Sequence, residues 1–169
     1  MHPQESEKMS DQSPMPEILA KLKIHEQALG RLYRIYAQRF PAEAEFWSRL
    51  AREEDEHAGW IDTLQAEFRD DPSSLVTNRF PVAAVEHSIA FIDKLITKAD
   101  APDLAPLNAV AAALNLEQAL LENKYFEVFE TDKVEAKRLL ALLRDEAHAH
   151  CQIVQQTWEQ ARQGVTGPA

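Results

Sequence analysis

Trp47-Ser-Arg-Leu50-Ala-Arg-Glu-Glu54-Asp-Glu-His57-Ala-Gly-Trp-Ile61-Asp-Thr-Leu64 is the stretch on which the fold turns. At 3.6 residues per turn, Trp47, Leu50, Glu54, His57, Ile61 and Leu64 share one face of a helix. That face is apolar except at its middle, where a carboxylate and an imidazole three residues apart aim at one point. An ionised Glu at such a position is costly unless it is paired or bound to a metal. The chain upstream carries a second stripe of the same kind: Leu22, Leu29, Tyr33, Tyr36 and Phe40, with Glu26 filling the gap between Leu22 and Leu29. Pro41 is the interruption between them. The spacing therefore predicts two antiparallel neighbours, one helix ending near Phe40 and the next running to about Asp70.

Further out, the pattern repeats. A shift of 91 positions lays Glu26-Gln-Ala-Leu29 on Glu117-Gln-Ala-Leu120, Glu54 on Asp145, His57 on His148 and Ala58 on Ala149. The separations agree without a gap: 28 residues from Glu26 to Glu54 and from Glu117 to Asp145, and 31 from each Glu to its His. The second half is expected to form another hairpin, with helices over about 106–130 and 133–163. A tight joint at Thr131-Asp132 would connect them, and Gly164 would stop the second. A long crossover, about 71–105, links the hairpins. It opens at Asp71-Asp-Pro-Ser-Ser, ends at Pro102 and Pro106, and carries its own amphipathic helix at about 82–98 through Val85, Ile89, Ile92 and Ile96. The expected fold is all-α: a four-helix bundle of two repeated hairpins, one domain over 14–164. A polar leader (1–13) is expected to be disordered, and 165–169 form a tail.

Composition points the same way. A chain of 169 residues is one ordinary domain, able to bury a core without staples. Four Gly, and few Val, Ile and Thr beside Ala, Leu, Glu, Arg and Lys, favour helix. Eighteen Lys+Arg against 28 Asp+Glu give a net charge of −10. Such a chain offers no basic stripe to nucleic acid and no attraction to an anionic membrane. The single cysteine, Cys151, excludes a disulfide framework and any Cys-x-x-Cys motif. The N-terminal stretch has no apolar h-region, and no apolar run approaches the roughly 20 residues needed to cross a bilayer, so a cytoplasmic protein is expected.

The candidate ligands are Glu26, Glu54, His57, Glu117, Asp145 and His148. One Glu from each of two helices and a carboxylate-x-x-His from each of the others is the arrangement of a di-metal carboxylate site inside a bundle. Two divalent cations would balance four carboxylates. Nitrogen and oxygen donors without thiolate suit Fe or Mn, and Zn also fits. The alternative to Asp145 and His148 is Glu146 with His150, on a different side of the fourth helix. His25 and His87 have no partner at ligand spacing and are expected at the surface. Glu53, Glu56 and Glu122 are expected on solvated faces, and Tyr33, Tyr36, Trp47 and Trp60 in core packing. Cys151 lies on a second apolar strip with Leu140, Leu143, Ala147, Val154 and Trp158 and is expected to be buried and inert. The crossover helix or a second subunit, in a homodimer, would cover that strip.

Over about residues 16–160 the chain resembles the ferritin-like di-iron carboxylate proteins, in their rubrerythrin-related branch. The resemblance rests on Glu26-Gln-Ala-Leu-Gly-Arg-Leu-Tyr33, Glu53-Glu-Asp-Glu-His57, Glu117-Gln-Ala-Leu120 and Asp145-Glu-Ala-His148. It implies two iron ions bridged by Glu54 and Asp145, capped by Glu26 and Glu117, and each held by His57 or His148. The implied function is an oxidoreductase that oxidises Fe(II) or reduces peroxide, with oxygen or peroxide as the small-molecule substrate. Three departures accompany the likeness. Asp145 is one methylene shorter than the usual Glu, and Leu120 stands where rubrerythrins carry a further carboxylate. With one cysteine there is no rubredoxin-like domain, so electrons would come from a separate donor. These departures leave two alternatives: a non-catalytic metal-binding or iron-handling protein, and a metal-free helical interaction module.

Overall fold

The structure, a computed structural model, describes residues 13–165. The expected leader, apart from Ser13, and the tail beyond Val165 lie outside the described residues. Among the described residues the fold is all-α, with helices α1 (Met15–Arg39), α2 (Ala44–Asp70), α3 (Val82–Lys98), α4 (Pro106–Glu122) and α5 (Val134–Val165). None is long and apolar enough to cross a membrane.

Local sequence explains most of these bounds. Pro16 sits in the first turn of α1, where its missing N–H was unpaired in any case, and the Oγ of Ser13 accepts from the Met15 N–H. Pro41–Glu43 form a single 3-10 turn between α1 and α2, short enough to fold the two back on each other. Along that seam Tyr33 and Tyr36 pack on Trp47, with ring centres 5.6 and 5.0 Å apart. α3 buries Val85, Ser88 and Ile92 and lies on α1, while α5 packs on α4 and α2. The strip through Leu140, Leu143, Ala147, Cys151 and Val154 proves to be part of the inward face of α5. It is covered within the chain and by itself calls for no second subunit.

Two expectations fail at helix ends. The third helix stops at Glu122 rather than near 130. The Tyr125 N–H bonds to the carbonyl of Leu120 and the Lys124 N–H to that of Leu121, with Lys124 left-handed at φ 53°. This is a Schellman stop built on Lys in place of the usual Gly. Residues 123–133 then turn irregularly and bury Tyr125 and Phe126, so Thr131-Asp132 is no tight joint. Gly164, in turn, does not stop α5, since no described Gly takes a positive φ.

The connection after α2 meets this irregular segment. Val76 and Glu130 exchange backbone hydrogen bonds of 2.9 and 2.8 Å, the Thr131 hydroxyl donates to the carbonyl of Ser74, and Lys133 pairs with Asp71 at 2.8 Å.

Candidate metal centre

Four of the six expected ligands come together. Glu26, Glu54, His57 and Glu117 are all buried, at 0–3 % exposure, between the apolar layers of α1, α2 and α4. Asp145 and His148 do not join them. Both are exposed, and Asp145 pairs with the neighbouring Arg144 at 2.8 Å.

Helical phase gives the reason. α5 turns Leu139, Leu143, Ala147, His150 and Val154 inward. Asp145 and His148 stand roughly 200° and 140° around the helix from Leu143, on its solvent side. Between α1 and α4 the repeat does run at 91 positions. Between α2 and α5 it runs at 93, setting Leu50, Glu54, His57 and Ile61 against Leu143, Ala147, His150 and Val154. The irregular segment before α5 absorbs the two extra residues. His150, from the alternative pair, is therefore the inner histidine, and the counterpart of Glu54 is Ala147. Glu146 is half-buried.

Glu54 is the hub. Its Oε2 lies 3.0 Å from His57 Nδ1 and its Oε1 lies 3.1 Å from His150 Nδ1. His57 Nδ1 is also 3.4 Å from Glu26 Oε2, and His150 Nδ1 is 3.8 Å from Glu117 Oε1. The two imidazole rings are 5.1 Å apart. One ligand atom each from Glu54, His57 and His150 lies within 4.8 Å of the other two. Glu117 accepts from the Tyr33 hydroxyl at 2.6 Å through Oε1, while its buried Oε2 has no partner.

An outer layer holds these groups. His25 places Nδ1 3.1 Å from Glu26 Oε1 and Nε2 2.8 Å from the Ser88 hydroxyl on α3. It is buried, against the expectation of a surface position, because α3 covers that side of α1. The heptad series Ile18-His25-Leu32, all three buried, is the signal that could have found it. Glu53, expected on a solvated face, is only half-exposed and reaches His150 Nε2 at 3.0 Å. Tyr33 packs in the core as expected and in addition reaches a candidate ligand. Tyr125 stands edge-on to His25 at 5.7 Å. His87, Glu56 and Glu122 are exposed.

Charge in this core is settled by hydrogen bonds against burial. Burial works to discharge His57, but Glu26 and Glu54 hold its pKa up at about 11. Burial likewise opposes the His150 charge, and Glu54 raises its pKa to about 9. Glu26 stays well below the usual carboxylate range despite complete burial, through its bonds to His25 and His57. Glu117 goes the other way: burial, aided by the Glu54 charge, pushes it up to about 7. Burial and the Glu117 charge also push up the Cys151 thiol, as befits an inert cysteine. Without metal, protons on the two imidazoles thus offset negative charge on the carboxylates that bond them. A divalent cation would take over that role by displacing them.

No protein-family model, curated protein or solved structure matches this chain.

Proposed function

We propose that this protein is a ferritin-like, rubrerythrin-related iron protein: an oxidoreductase that oxidises Fe(II) or reduces peroxide at a metal centre in the bundle core. The observation that carries the reading is the buried convergence of Glu54, His57 and His150, each offering a ligand atom within 4.8 Å of the others. The donor set fits the group. Carboxylate oxygen and imidazole nitrogen without thiolate suit iron or manganese, with zinc as a third fit. The partnerless, buried Oε2 of Glu117 is an orphan of the kind native interiors rarely keep, and a cation would satisfy it.

Glu54, His57 and His150 would hold the metal, with Glu26 and Glu117 beside it. Bound iron supplies the electron transfer to oxygen or peroxide. The remaining work belongs to the chain. His25 and Tyr33 orient Glu26 and Glu117, and Glu53 holds the outer nitrogen of His150 so that Nδ1 faces inward. Leu50, Ile61, Leu143 and Val154 wall the site against water. For peroxide reduction, a separate electron donor is proposed. A cytoplasmic homodimer is the setting proposed for this activity.

Anaerobic loading with Fe(II), elemental analysis and subsequent exposure to oxygen or peroxide test the reading. Retained iron and an oxidant-dependent absorbance change are expected. Failure to retain iron, manganese or zinc would sink it. A second reading, metal binding without turnover, is favoured by Ala147, which leaves three inner carboxylates instead of four. Stoichiometric binding with no oxidant-dependent change would decide for that second reading.

A further inference from the structure

We propose that the centre is unequal: Glu54, His57 and His150 hold one metal ion tightly, while a second position, short of a carboxylate at Ala147, holds an ion only weakly. The inference rests on the metal-binding reading above and concerns how many ions the chain retains. In the internal repeat, the inward residues of α2 are Leu50, Glu54, His57 and Ile61, and those of α5 are Leu143, Ala147, His150 and Val154. Three of the four pairs match in kind. The fourth sets a methyl group against the carboxylate that bonds both imidazoles. Glu54 uses one oxygen for His57 and the other for His150, so the α2 side supplies a bridging group that the α5 side lacks.

The remaining carboxylates are already engaged differently. Glu26 is held by His25 and His57, and Glu117 is held by Tyr33 on one oxygen only. A second ion would have to rely on these two and on a share of Glu54. Ala147 is buried and lines, with Leu120, Leu121, Tyr125, Phe126 and Arg144, a small pocket between the end of α4 and α5. That pocket holds only about 10 Å³ and is lined by none of the candidate ligands, so a longer side chain at 147 must displace its neighbours to reach the centre.

An anaerobic Co(II) titration of the whole protein, followed by visible absorption and by elemental analysis after gel filtration, tests this. The wild type should retain about one ion per chain, with the second step weaker by at least about 100-fold, the upper end of what loss of an outer-layer partner costs. Ala147→Glu should retain about two ions, with the two steps within about 10-fold of each other. Ala147→Asp, which asks less of the helix packing, should move the second step the same way. Two ions of equal affinity in the wild type would overturn the inference and leave the metal reading standing. So would an unchanged single-ion stoichiometry in folded Ala147→Glu and Ala147→Asp proteins. No cobalt bound by any of the three would overturn the metal reading itself.

Discussion

Glu54 divides its two oxygens between two imidazoles from different helices, and so joins α2 to α5 at the centre. Glu54→Ala should abolish metal retention, whereas Asp145→Ala and His148→Ala should leave metal per chain unchanged, since both side chains face solvent. Loss of metal in His148→Ala would mean that the phase of α5 is misassigned. Glu53→Gln, which keeps the shape but weakens the hold on His150 Nε2, should lower affinity by about 10- to 100-fold without altering stoichiometry. A competitive chelator titration measures that shift. At this scale Glu26, Glu54, His57 and Glu117 were legible because each is a charge interrupting an otherwise apolar face. Asp145 and His148 satisfy a gap-free match but not the apolar rhythm of their own helix, and the rhythm decides. That rhythm, Leu139, Leu143, Ala147, His150 and Val154, fixes which side faces inward, and it points to His150. His25 is expected at the surface because its partners, Glu26 and Ser88, do not stand at ligand spacing, yet the packing of α3 buries it.

The helices show where pattern reading works and where it stops. The joint at Pro41 and the crossover helix at 82–98 were legible, because proline and a clean apolar period mark them. The end of α4 was not. Tyr125, Phe126 and Phe129 continue an apolar content that suits a helix, and the stop depends on one residue turning left-handed. For Lys124 that backbone costs about 1–2 kcal/mol which glycine avoids. Lys124→Gly should therefore stabilise the protein by about 1 kcal/mol, seen as a higher urea midpoint with an unchanged slope. A lower midpoint would show that the Lys side chain contributes more than its backbone strain removes.

For the molecule as a whole, the buried cluster sets the dependence of stability on pH. The folded pKa values of His57 and His150, about 11 and about 9, stand above the ordinary 6.5, so folding takes up protons. The stability gained is complete below about pH 6.5 and is lost as pH rises through 9 and then 11. Glu26, depressed, contributes above the ordinary 4.5 and loses its contribution in acid. Glu117, raised to about 7, costs stability as pH climbs from 4.5 towards 7. The metal-free protein should be most stable at about pH 4.5–5 and show a falling urea midpoint from there to pH 9. In the metal-loaded protein, where the ion replaces the protons, that fall should be smaller. A metal-free midpoint that rises towards pH 9 would contradict the assignment of protonated imidazoles. The clasp between residues 71–76 and 130–133 has a consequence of another kind. It ties the two halves at one end, while at the other α3 passes to α4 through the exposed Pro102-Asp103, held at Ala101 by Arg39. A nick at Pro102-Asp103 would part Glu26, Glu54 and His57 on one fragment from Glu117 and His150 on the other. The two pieces should still co-migrate when metal is supplied and separate more readily under chelation, so that the ion becomes the fastener of a two-chain protein.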